Sequence, residues 1–355
     1  MRKILGYIIV LCCLSVAVQA KDLMVRRKTI EQQVKVSEGD RLVVDAALGD
    51  VRIRTWKKPM VSVRIVITGM GYTQGRVDSM LDGLDVQVKD HEHGSAKITV
   101  ERPLPGNKDH GVRGELSIVK DFKDIDTNGK AISYELMIPD GMFVDVKAVH
   151  GDVHFEDDYS GPVNVDVFNG RLFAKKLMGR MNYISIDAPM FFDKWGHIGY
   201  LDNSYVNAVH YLQIDHAGDV HLRDGRGLKI GTIDNVYFGG NMSEVAIDRA
   251  GNVVGRLDKA ENIAIGTIQG ICELWLFSVN GISFTDLSAV RRMNISGYTS
   301  SIKLGQMGNA VIDINADVKN VPSYLQKGET GCSGTVGNGS ASIGIHMSNG
   351  TVTFE

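Results

Sequence analysis

Cysteine is scarce in this 355-residue chain: there are four, and Cys12 and Cys13 fall within the first twenty residues. A small scaffold held by many disulfide bridges is thereby excluded. Proline is scarce too, at 7 residues or about 2 % against a usual ~5 %, while glycine reaches 40, about 11 % against ~7 %. Corners are made by glycine's permissive backbone rather than by proline breaks, which points to an all-β chain with many turns. No basic block is present, and 39 basic against 42 acidic side chains make the chain mildly acidic. Such a surface is a poor counterpart for phosphate backbones or anionic lipid, so no nucleic-acid partner is expected. Past residue 20 no apolar run approaches the ~18 residues of a membrane-spanning helix, and no transmembrane segment is expected in the mature chain.

The first twenty residues read as a leader. Arg2 and Lys3 form a basic start, Ile4 to Val18 an apolar run, and Val18-Gln19-Ala20 a small-residue cleavage site. The expectation is a signal peptide over 1–20 and an exported protein, periplasmic or at the cell surface, beginning at Lys21. Lipoprotein cleavage before Cys12 is rejected, because Ile9-Val10-Leu11 lacks the small residues such sites use.

What is abundant is short alternation. Val163, Val165 and Val167 alternate with Asn164 and Asp166 and run into a corner at Asn169-Gly170. The pairs Val51 and Ile53, Val153 and Phe155, and Val220 and Leu222 alternate likewise, each after a Gly-Asp step. This is the pattern of strands with one buried face. The corners recur, from Gly151 to Gly170, from Gly218 to Asn235 and from Gly251 to Gly270, with a period of about 16 to 20 residues. Such a period fits a β-solenoid, in which each coil buries its apolar face only by stacking on its neighbours. The spacing drifts between Gly281 and Val321.

The expected organisation is thus an N-terminal β region over 21–140, continuous with solenoid coils over 141–355. Strands are expected at Leu42–Val44, Val51–Arg54, Val61–Ile67 and Ala96–Val100, with one short helix over 75–83 from the spacing of Val77, Met80, Leu81 and Leu84. Glu115–Val119 and Ile132–Ile138 read as a strand pair, and 322–340 as a glycine-rich loop before the final strands at 341–355.

These segments carry a resemblance. Val43 to Ile53 with Trp56, then Tyr134 to Gly141 running into His150-Gly151-Asp152-Val153, then Ile343 to Phe354, resemble the putative-adhesin family of bacterial envelope proteins, a domain of unknown function. The resemblance implies a right-handed β-solenoid or β-roll exported from a bacterial cell, and it supplies no catalytic residues.

The sharpest chemical motif is Asp124-Ile125-Asp126-Thr127-Asn128-Gly129 with Glu135, which satisfies a calcium-loop pattern. Calcium takes several hard oxygens around a tight glycine turn, and Asp124, Asp126, Asn128 and Glu135 would supply them. The flanks alternate as strands, however, and an Asx-rich hairpin turn needs no metal. No other cofactor is expected. His154 and His221 both follow Gly-Asp-Val and read as equivalent outward positions too far apart to share a zinc ion. Asp166, Asp215, Asp248 and Asp313 read as an acidic stripe or a polar edge. Asp157-Asp158 with Gly196-His197-Ile198-Gly199 offers only a faint likeness to a carbohydrate-hydrolase site, and Gly225 to Gly231 reads as a coil corner. Cys272 alternates with Leu274 and Leu276 and reads as a buried free thiol; pairing with Cys332 requires the glycine-rich loop to fold back. Trp195, Trp275, Phe191 and Phe192 are either sugar platforms or core and edge filling, the commoner fate.

The expected function is therefore non-catalytic: an exported adhesin-like solenoid whose partner is a polysaccharide or protein of the envelope or a host. A carbohydrate-active β-helix enzyme and a periplasmic structural or signalling partner are the alternatives.

Overall fold

The computed structural model describes residues 24–46, 49–71, 73–75, 95–101, 118–121, 132–187 and 195–355. The leader expected over 1–20 lies outside them, as does the expected helix beyond Gly75; Gln74 and Gly75 are helical. The chain is all-β. Its first strands are β1 (Met24–Lys35), β2 (Arg41–Ala46), β3 (Asp50–Trp56), β4 (Met60–Gly71), β5 (Ser95–Glu101), β6 (Ile118–Asp121), β7 (Ile132–Pro139), β8 (Phe143–Val149) and β9 (Val153–Tyr159). There follow β10 (Val163–Phe168), β11 (Leu172–Leu177), β12 (Asn182–Asp187), β13 (Gly196–Leu201), the long β14 (Ser204–Leu257), β15 (Lys259–Ile268), β16 (Ile271–Phe277), β17 (Val279–Leu287), β18 (Arg292–Tyr298) and β19 (Ser301–Met307). The last are β20 (Ala310–Lys319), β21 (Gln326–Lys327), β22 (Gly331–Val336) and β23 (Ala341–Phe354).

From β8 to β19 pairing is parallel and skips one strand except at the long β14: β8 pairs β10, β10 pairs β12, β9 pairs β11 and β11 pairs β13, while β14 pairs β12, β13, β15 and β16. The chain thus lays its strands alternately on two sides. Val165 pairs with Ile184 and Ile198 with Ile214, both within the expected period, whereas Ala174 reaches Ile198 only over a longer span. The layers are therefore unequal, because the 181–212 stretch carries extra residues. Inward rows from the two sides share one hydrophobic cluster, with Ile198, Ile214, Ile230, Ile247 and Ile265 of the second side all buried. Each such side chain contributes about 1.5–3 kcal/mol, which is why in-register aliphatic columns hold the stack.

The corners explain the Gly-Asp steps. The Asp50 carboxylate accepts from the Asp152 backbone N–H at 3.0 Å, and the Asp152 carboxylate accepts from the Arg171 N–H at 2.9 Å. Each aspartate satisfies the backbone donor of the layer above. The glycine before it is forced: a Cβ on Gly151 would lie 2.0 Å from the Gly49 carbonyl oxygen. Farther on, amides continue the device. Asn235 donates to Asp219 at 2.5 Å, Asn252 donates to Asn235 at 2.6 Å, and Asn252 accepts from the Ile271 N–H at 2.9 Å. Within β14 the chain turns at left-handed residues, Tyr211, Asp224 and Glu244 among them.

Both ends of the stack depart from parallel order. β4 is antiparallel to both β1 and β7, and β5 is antiparallel to β2 and β6. Among the described residues the strand pair expected between 115–119 and 132–138 does not form: β6 pairs β5, whereas β7 lies between β3 and β4. At the other end the 322–340 segment is more than a loop, since its β22 pairs antiparallel with β20. The spacing drift noted after Gly281 has its cause here. β17 and β19 still pair in parallel, but the layer above β18 and β19 is β23, and β20 lies beyond it. A strand made late in the sequence is thus inserted between two made earlier.

Cys272 and Cys332 are free. The path from β16 through β18, β23 and β20 to β22 crosses four strand spacings of ~4.8 Å, about 19 Å, beyond the ~7 Å limit for a disulfide. Burial pushes both thiols up from their usual pKa, so neither is a ready nucleophile.

Candidate functional site: an exposed aromatic side

Parallel in-register stacking sets each outward side chain above its counterpart in the next layer. On the side built by β10, β12, β16, β18 and alternate segments of β14 this makes a ladder of rings. Tyr183 and Tyr205 are directly paired and stack at 5.2 Å and 12°. Tyr205 stacks on His221 at 4.7 Å and 13°, and His221 on Tyr237 at 4.5 Å and 14°. The separations match the rise between strands, so the backbone places the rings and the side chains need little adjustment. All four rings are exposed, and Arg223 is exposed beside them.

Higher on the same side stand Trp275, 61 % exposed, and Tyr298, 56 % exposed. Phe277 stacks on Tyr298 at 5.7 Å, and the Arg256 guanidinium lies 4.5 Å from the Phe277 ring centre. Core and edge filling, the commoner fate of tryptophan, is thus overturned for Trp275. Trp195 lies edge-on to Tyr211 at 5.6 Å beneath the Lys229 ammonium, while Phe191 and Phe192 fall outside the described residues.

The opposite side is charged near its N-terminal end and studded with small residues farther along. His197 Nε2 lies 2.9 Å from Asp215 Oδ2, and Gln213 donates to Asp215 at 3.2 Å. Burial pushes the Asp215 carboxyl up, but these two hydrogen bonds together with the charges of His197 and His216 outweigh it and hold the group below the usual range. Asp215, Lys229, Gly231, Asp248 and Arg249 line a shallow hollow of about 610 Å³.

The expected site residues scatter over this frame. Asp124, Asp126 and Asn128 lie outside the described residues, and Glu135, in β7, is held by Arg64 at 3.0 Å. His154 and His221 are not equivalent: His154 sits in β9 on the charged side, stacked on Phe173 at 4.8 Å, whereas His221 belongs to the ring ladder. The single acidic stripe does not form either, because Asp166 lies on the aromatic side and Asp215 and Asp248 on the other. Asp157 accepts from the Thr55 N–H and Asp158 pairs with Lys176 at 3.2 Å, so this pair serves structure. Gly225 to Gly231 runs through β14 as a corner. Among the described residues no three His, Cys, Asp or Glu side chains converge to hold a metal ion, and no helix is long and apolar enough to cross a membrane. The ring ladder escaped sequence reasoning because its members are unevenly spaced along the chain, and only the register reveals that they share a column.

No family model and no curated protein matches this chain. A solved structure described as a putative adhesin from Bacteroides fragilis is similar at 13 % identity, covering 92 % of this chain and 97 % of that one with a TM-score of 0.25, a likeness too slight to bear on fold or function.

Proposed function

We propose that this chain is an exported, non-catalytic recognition protein of the putative-adhesin kind, a right-handed β-solenoid that displays its aromatic side to a ligand at the cell envelope. The observation that carries this reading is the exposed ladder Tyr183–Tyr205–His221–Tyr237. Exposed rings held in one line along four successive layers present an apolar strip, a feature a mere spacer has no use for. The leader over 1–20 supports export, and the skip-one parallel pairing supports the solenoid. A carbohydrate-active enzyme is the second reading, favoured by the hollow holding Asp215 and Asp248. A glycan array of extracted envelope and host polysaccharides separates them: the recognition reading expects retention that a Tyr205→Ala, Tyr237→Ala double variant loses. No retention at all returns the protein to a spacer, and release of shortened chains from the array makes it an enzyme.

A further inference from the structure

The aromatic side contains a gap where its own geometry has room for one more ring. In the column Arg256, Trp275, Ser296, His346 the four residues are in register, one per layer. Ser296 is too short to cover the indole beside it, which leaves Trp275 the most exposed aromatic on this side. The ladder Tyr183 to Tyr237 shows what a ring one layer away does here, stacking at 4.5–5.2 Å. The next ring of this column, His346, stands beyond Ser296 and thus two layers from Trp275, so the layer beside the indole carries only a serine.

The rim of the gap is polar. Asn294 flanks Ser296 in β18, with Gly344 and His346 in the adjoining strand β23. Asn294 Oδ1 and His346 Nε2 converge on Gly344, diagonally beyond Ser296, at 3.3 and 3.9 Å from the point a Cβ on that glycine would occupy. Tyr298 closes the other flank. The bordering arginines bring no free charge: Arg256 is paired with Asp258 at 2.6 Å and Arg292 with Glu273 at 2.5 Å. A flat face to stack on, hydrogen-bonding groups around the edge and balanced charge match an uncharged pyranose, whose C–H face is apolar and whose rim carries hydroxyls.

We propose that Trp275, Ser296, Asn294 and His346 form a subsite for one pyranose ring of a neutral polysaccharide. The ring stacks on the indole, rests above Ser296 and hydrogen-bonds to Asn294 and His346. This inference rests on the recognition reading of the aromatic side and names its ligand class.

The test is affinity electrophoresis of the full exported chain in gels containing soluble barley β-glucan, xyloglucan or galactomannan, with polygalacturonate as the charged control. At least one neutral polymer retards the wild type, and Trp275→Ala weakens that binding about tenfold or more. Ser296→Tyr fills the gap from within, as the tyrosines of the ladder do, and abolishes retardation at unchanged melting temperature; Ser296→Ala retains it. Retardation by polygalacturonate alone, or by no neutral polymer, overturns the subsite. If Tyr205→Ala removes binding while Trp275→Ala and Ser296→Tyr keep it, the recognition reading stands and the subsite falls. Binding to peptides rich in tyrosine but to none of the polysaccharides assigns the gap to a protein ligand and rejects a sugar.

Discussion

The parallel body and the antiparallel N-terminal end solve the same problem of outward side chains in opposite ways. In the body, in-register layers bring like onto like, and Tyr183 meets Tyr205. At the N-terminal end a row across β1, β4, β7 and β3 alternates in charge: Glu31 faces Arg64, Arg64 faces Glu135, and Glu135 faces Arg52. Arg64 reaches both neighbouring carboxylates, at 3.1 and 3.0 Å. The lesson is that aromatic columns gain from repetition, because rings stack, whereas charged columns survive only by alternation. The stack is therefore aromatic where parallel layers repeat and salt-bridged where its outermost strand would otherwise recruit foreign strands.

The largest effect that tests this contrast lies in the shared core. Ile214→Ala, in the middle of the body, is expected to cost about 2–5 kcal/mol in denaturant unfolding, while Val25→Ala on the exposed end strand stays within about 0.5 kcal/mol. Equal losses would mean that the end strand is as deeply integrated as the body. A smaller effect comes from Arg64→Glu, which sets three carboxylates side by side. Destabilisation of about 0.2–1 kcal/mol is expected, shrinking as salt is raised, and a salt-independent loss would make the row a packing contact instead of an electrostatic one.

The smallest concerns His154, where the charged end meets the body. Burial pushes its imidazole below the usual value despite Asp152 and Asp50, which act to raise it. The unfolded chain therefore binds the proton more readily, near pH ~6.5. Stability from this residue is complete well above that pH and is lost as pH falls through it. Melting temperature should drop between about pH 7.5 and about pH 5.5, and His154→Phe, keeping the stack on Phe173, should flatten that part of the profile. An identical profile in the variant would assign the drop to carboxylates elsewhere.

Much of the frame was legible in the sequence, for identifiable reasons. Alternation fixes which side of a strand is buried, so the valines of β10 and the strands β2 to β5 followed from their residues alone. The Gly-Asp steps announced corners because the local chemistry is strict: no Cβ fits, and a carboxylate must meet the next layer's N–H. What depended on register could not be read. Alternating residues two apart look the same whichever side their strand joins, so His154 and His221 passed as equivalents. The aromatic ladder, spread over residues 183 to 237, needed layers of unequal length to be aligned first.

The insertion of β23 between β19 and β20 has a temporal side. A ribosome delivers β20 before β23, so β20 gains its parallel partner only once β23 has been made. The strands from β8 to β19 have parallel partners made before them, whereas β20 and its antiparallel companion β22 connect to the stack through β23. Joining the far end to the body thus depends on β23, which bridges strands made well before it.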